Sequence, residues 1–292
     1  MRSKLILLSA VAALAATSAS AADVVKGKKK AAPAPVVVVS PWDWTVGAGA
    51  TTNYIFRGIS QSNAQPGVNA NAEIRYSLSD AHTLYLGAAG SSVKLTNQDT
   101  SPPVEWDAIG GVRATYGALT FDLGGIGYLY SKVETPNNVF VTTPNWFEGY
   151  LKTSYAVNDA ITLGINGFVS PNYLDTGANA QYVSGTAAYK LGDLVFSGEF
   201  GHQFLGKTDA AHTPVSGNRS LPDYNYWNLG AAYTYKLATL DLRYHDSSLS
   251  KKGCADITGP TNGVYGAASQ SKYCNAAVVG TLSFALTSKD VK

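Results

Sequence analysis

After its first twenty-one residues, this 292-residue chain has no stretch approaching the ~20 consecutive apolar residues of a membrane-spanning helix. The longest apolar run that does not alternate is Val36 to Val39. If the protein enters a membrane, it does so by strands. Charge is also scarce, at 14% of residues against 45% apolar. The formal balance of +2 comes from the N-terminal end. Without Arg2, Lys4 and the cluster Asp23, Lys26, Lys28, Lys29 and Lys30, 16 basic and 19 acidic residues remain. No basic footprint is left, so nucleic acid is not an expected partner. The sequence lacks a C-x-x-C pair, a Gly-rich phosphate loop and a paired-carboxylate glycosidase signature, and His202, His212 and His245 show no zinc-like spacing. No cofactor, metal or catalytic residue is expected.

What is present begins with a leader. Arg2 and Lys4, the apolar run Leu5 to Ala16, and Ala19-Ser20-Ala21 read as a cleaved secretory signal over residues 1–21. Residues 22–41 combine the lysine cluster with Ala31-Ala32-Pro33-Ala34-Pro35 and Ser40-Pro41, which predicts an extended, solvated periplasmic spacer. Its charge also suits attachment to an anionic surface such as peptidoglycan. No internal linker divides residues 42–292, which read as one unit.

That unit has a two-residue rhythm. Val68, Ala70, Ala72, Ile74, Tyr76 and Leu78 interleave with Asn69, Asn71, Glu73, Arg75 and Ser77, which gives an extended strand with one apolar and one polar face. The pattern predicts strands over Trp44–Arg57, Gly67–Leu78, Thr83–Val93, Val104–Tyr116, Leu119–Tyr130, Asn145–Tyr155, Ile161–Ser170, Gln181–Leu191, Leu194–Leu205, Asp223–Tyr235, Ala238–Asp246 and Asn275–Thr287. Tight connections such as Gly117-Ala118 and Gly192-Asp193 alternate with long polar ones. Sandwiches have no reason to sort loop length by end. Outer-membrane barrels do, with short periplasmic turns and long extracellular loops. The expected fold is an all-β, antiparallel transmembrane β-barrel of about twelve strands.

Parity then divides inside from outside. Arg57, Glu73, Arg75, Glu105, Asp107, Arg113, Asp122, Glu148, Lys152, Glu199, Asp241 and Arg243 fall on the faces opposite the apolar ones. An Arg or Lys near the lipid midplane costs ~2–4 kcal/mol, so these charges are expected to line a polar lumen. Aromatics near strand ends, among them Tyr54, Phe56, Trp106, Tyr116, Tyr128, Tyr130, Trp146, Phe147, Tyr224, Tyr226 and Trp227, are expected at the headgroup level.

Asn53-Tyr54-Ile55-Phe56-Arg57-Gly58-Ile59-Ser60-Gln61 resembles the Y-x-F-R-G-x-S motif of the TorF-type porin family, the proteobacterial outer-membrane β-barrels. Shorter likenesses at Leu84–Gly87, Val104–Asp107, Phe121–Gly124, Asp223–Gly230 and Tyr244–Asp246 extend it over most of residues 44–287. The resemblance implies an outer-membrane barrel for passive solute passage with no defined substrate. The chain departs from many such barrels at its C-terminus, where it runs past Phe284 to Lys292 instead of ending on an aromatic residue.

Candidate pore-lining or mouth residues are Arg57, Glu73, Arg75, Glu105, Asp107, Arg113, Glu148, Asp241 and Arg243, with Asp223 at a similar height to Arg57. These charges either impose a field on passing solutes or pair with one another in a partly filled interior. Cys254 and Cys274 share the longest external loop and, in an exported chain, are expected to form a disulfide. His245-Asp246-Ser247 is the one arrangement suggesting a lipid hydrolase, but His245 shares parity with Asp241 and Arg243 and so faces the lumen. The functional expectation is a porin in the bacterial outer membrane. It would pass small hydrophilic solutes and contact lipid and lipopolysaccharide. A structural, envelope-anchoring barrel is the alternative.

Overall fold

A computed structural model describes residues 40–95, 103–131, 133–134, 141–142, 145–212, 217–264 and 266–291. The expected signal and nearly all of the lysine-rich spacer lie outside these residues. The chain forms a closed antiparallel barrel. Its strands are β1 (Trp42–Thr51), β2 (Gly67–Ser77), β3 (His82–Ser92), β4 (Val104–Tyr116), β5 (Leu119–Tyr130) and β6 (Trp146–Ala156). They continue as β7 (Ile161–Ser170), β8 (Ala180–Leu191), β9 (Leu194–Leu205), β10 (Tyr224–Tyr235), β11 (Ala238–Ser247) and β12 (Ala277–Thr287). Each pairs with its sequence neighbours, and β1 closes the ring on β12 with Thr45 opposite Thr287 and Thr51 opposite Thr281. Two short ladders, Ile55–Phe56 with Ile59–Ser60 and Val133–Glu134 with Val141–Thr142, stand apart from the barrel sheet.

Loop length segregates by end as expected. The links between β8 and β9 and between β4 and β5 are two residues long, and Gly192 supplies the left-handed φ of +62° that such a turn requires. Both ends of the barrel sequence, Trp42 and Thr287, lie at this short-turn end. At the other end the β11–β12 connection folds into helix α1 (Lys251–Thr258), whose first turn is capped by the Ser250 side chain accepting from Gly253 N–H at 3.0 Å. The Cys254–Cys274 disulfide joins this helix to the segment entering β12.

The outer surface is apolar. Leu86, Leu123, Ile165, Leu229, Leu242 and Val278 project outward and stay exposed on strands spread around the barrel, where a water-soluble monomer would carry polar side chains. Exposed aromatics ring the short-turn end (Trp42, Tyr116, Tyr155, Tyr189, Tyr233, Tyr235) and the long-loop end (Trp106, Phe147, Phe200, Phe204, Tyr244). Such a surface suits lipid, with amphipathic rings at both interfaces.

Two expectations need correction. The first strand ends at Thr51, not Arg57, because the chain turns into the barrel there. The aromatics of the long-loop end also divide. Trp106 and Phe147 face out, whereas Phe56, Tyr128, Tyr130, Trp146, Tyr224 and Tyr226 are buried within the barrel, and Tyr54 turns in to hydrogen-bond Glu105. Trp146 has the parity of Glu148, and Tyr128 and Tyr130 that of Asp122, so alternation places them inside despite their nearness to strand ends. The long-loop half of the lumen is therefore filled by rings. Trp146 stacks on Tyr128 with centroids 4.1 Å apart and meets Phe56 and Tyr173 edge-on.

Candidate functional site

Beyond β1 the chain doubles back inside the barrel. Ile55–Phe56 pairs with Ile59–Ser60 around a two-residue turn at Arg57 and Gly58, with φ of 45° and 81°. A left-handed Arg is uncommon and is held there by its surroundings. Any side chain at Gly58 is strained: a Cβ would lie 2.9 Å from Ser247 Cβ and 3.1 Å from Tyr226 Cδ2, on the β10–β11 wall. The hairpin is tied at its base by Gln61 N–H donating to Tyr54 O (2.7 Å) and along its return arm by Ser60 N–H donating to Tyr273 O (2.7 Å).

From this turn the Arg57 guanidinium reaches β6 and β9. Nη1 donates to Glu148 Oε1 at 2.8 Å and to Gln203 Oε1 at 3.1 Å, and Nη2 donates to Glu148 Oε2 at 2.9 Å. The rings of Phe56, Phe168 and Tyr182 lie 4.3–4.7 Å from its centre. Burial alone would lower the Arg57 pKa, but the Glu148 carboxylate more than offsets this and holds it above its ordinary value. The hairpin thus crosses the lumen and is locked on the far side.

Towards the short-turn end the lumen has two charged walls. On one, Arg113 grips Glu73 through two 2.9 Å bonds and reaches Asp122 at 3.0 Å. Arg75 bonds the same Glu73 (2.8 Å), Asp43 (3.0 Å) and Thr45 (2.7 Å). Tyr85 donates to Asp122 and meets the Tyr150 hydroxyl across β4 and β5, directly over Gly111 and Gly124, whose missing side chains leave room. On the opposite wall Arg243 bonds Asp241 (3.0 Å), Asn228 (2.6 Å) and Ser197 (2.8 Å), while Glu199 accepts from Tyr182 at 2.9 Å. Lys152 lies over the rings of Tyr150 (4.3 Å) and Phe168 (5.3 Å), and among the described residues no carboxylate pairs with it.

The candidates from parity therefore gather in one lumen, largely as pairs. Asp223 is the exception: it is exposed at the rim and accepts from Leu205 N–H. Gln203 escaped the sequence reading, although it shares parity with Glu199 and is fully buried against Arg57. Tyr173 sits in a loop, where no periodicity could reveal it. The hydrolase arrangement does not form. His245 Nδ1 lies 2.9 Å from the Tyr226 hydroxyl, and among the described residues no hydrogen bond joins it to Ser247.

A cavity of about 180 Å³ opens between the hairpin, the ring cluster and α1. Phe56, Tyr128, Tyr130, Trp146, Tyr173 and Tyr273 form much of its wall, with Glu105 as its charged group. Burial pushes the Tyr173 hydroxyl up to about 12 and raises that of Tyr273, so both stay protonated at neutral pH.

The architecture is a closed barrel with an apolar exterior, a charged lumen and an inward hairpin. The chain belongs to the family described as a bacterial protein of unknown function (Gcw_chp), whose model matches residues 37–266. No curated protein matches the sequence. Among solved structures it is similar to the NanC porin (TM-score 0.45, 11% identity, covering 82% of this chain and 97% of that one). It is also similar to the Pseudomonas putida toluene transporter TodX (TM-score 0.45, 11% identity, covering 87% and 89%).

Proposed function

We propose that the protein is an outer-membrane channel passing small hydrophilic solutes by diffusion, with the Arg57 hairpin as its constriction. The observation that carries this reading is the pair of charged walls, Glu73/Arg75/Arg113/Asp122 facing Glu199/Asp241/Arg243, enclosed by an apolar exterior. A barrel serving only as a scaffold could fill its core with apolar side chains, which avoids desolvating so many ions. The TorF-type resemblance of Asn53–Gln61 agrees with passive transport. Arg57, Arg75, Arg113 and Arg243 are each matched by carboxylates, whereas Glu105 and Asp107 have no cationic partner among the described residues. The acidic excess near the mouth favours cations weakly.

Planar-bilayer recording tests the reading. Discrete steps of small conductance are expected, with a reversal potential displaced towards cations in a salt gradient. A purified, folded barrel that gives no steps would overturn it.

A second reading has its own observation in the filled long-loop half, where Arg57, Trp146 and Tyr173 leave little free section. In that case the barrel is a closed anchor, and the lysine-rich residues 26–30 hold it to peptidoglycan. Cosedimentation with purified peptidoglycan, lost when those lysines are replaced and accompanied by silence in bilayers, distinguishes the two.

A further inference from the structure

The cavity beside the hairpin has a chemistry that the channel reading does not use. Glu105 lines it, with Oε1 accepting from the Tyr54 hydroxyl at 2.7 Å and Oε2 from that of Tyr130. One inward position further along β4, opposite Tyr128, Asp107 is buried, and among the described residues neither of its carboxylate oxygens is hydrogen-bonded. Among the described residues no Arg, Lys or His pairs with either carboxylate, and the nearby Arg57 is committed to Glu148. A buried carboxylate without a counter-charge is costly. Tyr273 also lines the cavity. It is 4% exposed, and among the described residues its hydroxyl has no hydrogen-bond partner.

These features share one complement. Aromatic faces carry negative quadrupole density and attract cations, most strongly where water is excluded. The Glu105 carboxylate offers acceptor capacity beyond the two tyrosines it already serves, and the Tyr273 hydroxyl can accept one hydrogen bond. A volume of about 180 Å³ holds a body of about one aromatic ring with a short polar arm; an apolar cavity of ~150 Å³ takes benzene. A bare metal ion would leave the ring walls unused, and a neutral ring would leave the carboxylates unpaired.

We propose that this cavity binds a small organic cation, a protonated amine on an apolar or aromatic body, with its charge against Glu105 and its body among Tyr128, Tyr130, Trp146 and Tyr273. The cation supplies the counter-charge that the described residues lack, and the rings supply contact area and selectivity over inorganic ions. Binding is measured without current, so its outcome is separate from that of the channel reading.

The test uses the full folded barrel with its disulfide intact, in detergent, titrated by calorimetry at neutral pH. The probes are benzylammonium, benzyl alcohol and benzoate, which match in size and differ in charge. Benzylammonium is expected to bind at least tenfold more tightly than benzyl alcohol, with no heat from benzoate. Glu105→Gln should reduce that preference to less than threefold, and Trp146→Ala should abolish binding of both. If Glu105→Gln fails to fold, Tyr273→Phe serves instead and is expected to weaken benzylammonium several-fold while leaving benzyl alcohol unchanged. Equal affinities for the amine and the alcohol would overturn the inference. So would benzylammonium binding that neither Glu105→Gln nor Tyr273→Phe alters, or the absence of any binding.

Discussion

Arg57 and Glu148 lie 91 positions apart in the chain and meet through two near-parallel hydrogen bonds of 2.8 and 2.9 Å, with almost no access to solvent. One partner sits on a loop hairpin and the other on the barrel wall, so the pair fixes a mobile class of element to a rigid one. Removing either partner leaves a buried charge. Arg57→Ala and Glu148→Gln should each destabilise the barrel by ~3–5 kcal/mol, and the double variant by less than their sum, in urea unfolding from lipid vesicles. In bilayers Arg57→Ala should raise conductance and shift the reversal potential. Unchanged currents in a folded variant would deny the hairpin its place as the constriction.

Gly58 sets the same hairpin's position by shape. Gly58→Ala adds a methyl group against Ser247 and Tyr226 at a φ of 81°, and a cost of ~1–3 kcal/mol is expected. Gly127→Ala is the control, since among the described residues nothing lies within 4 Å of its added Cβ, and it should stay within about 0.5 kcal/mol of the parent. Equal unfolding midpoints for the two variants would contradict the close approach.

The outward face of β10 can be probed directly. Leu229 is 68% exposed near the middle of its strand. Leu229→Arg should cost ~2–4 kcal/mol in a bilayer and disturb little in the lumen. A variant as stable as the parent in vesicles would place that face in water.

Reduction tests the loop cover. Cys254 is fully buried and packs with Ile59, Tyr182, Tyr224 and Tyr226. Opening the 20-residue span to Cys274 should lower stability by roughly 3 kcal/mol in the chain-entropy picture. It should also expose the α1 region to protease, as detected by mass spectrometry of the fragments. Free thiols in the oxidised protein would refute the bridge.

Much of the barrel was legible because its determinants are local. Val104–Tyr116, Leu119–Tyr130 and Leu194–Leu205 run as alternation predicts, since each strand's two faces meet different media and its turns are only two residues long. The hairpin was illegible for the same reason. Tyr54, Phe56 and Arg57 continue the alternation of β1, and a small inward hairpin alternates just as a barrel strand does. What sends the chain inward at Thr51 is the company it finds there, Glu148 on β6, Gln203 on β9 and Tyr273 before β12, and none of these is near in sequence. Burial of Trp146, Tyr128 and Tyr130 was present in their parity, but nearness to a strand end pointed the other way. The pairing of Glu73 with both Arg75 and Arg113 needed the register of three strands.

The seam between β1 and β12 has a consequence for the order in which the molecule is made. Thr51 hydrogen-bonds Thr281, a partner synthesised 230 residues later. Until that partner arrives, the edge of β1 is an unsatisfied row of amides, open to pairing with another chain. Arg57, also made early, waits for Glu148 and Gln203. Closure of the barrel therefore waits until the final strand is translated. A product cut short before Ala277 would keep two open edges, on β1 and β11, each a template for pairing with another chain.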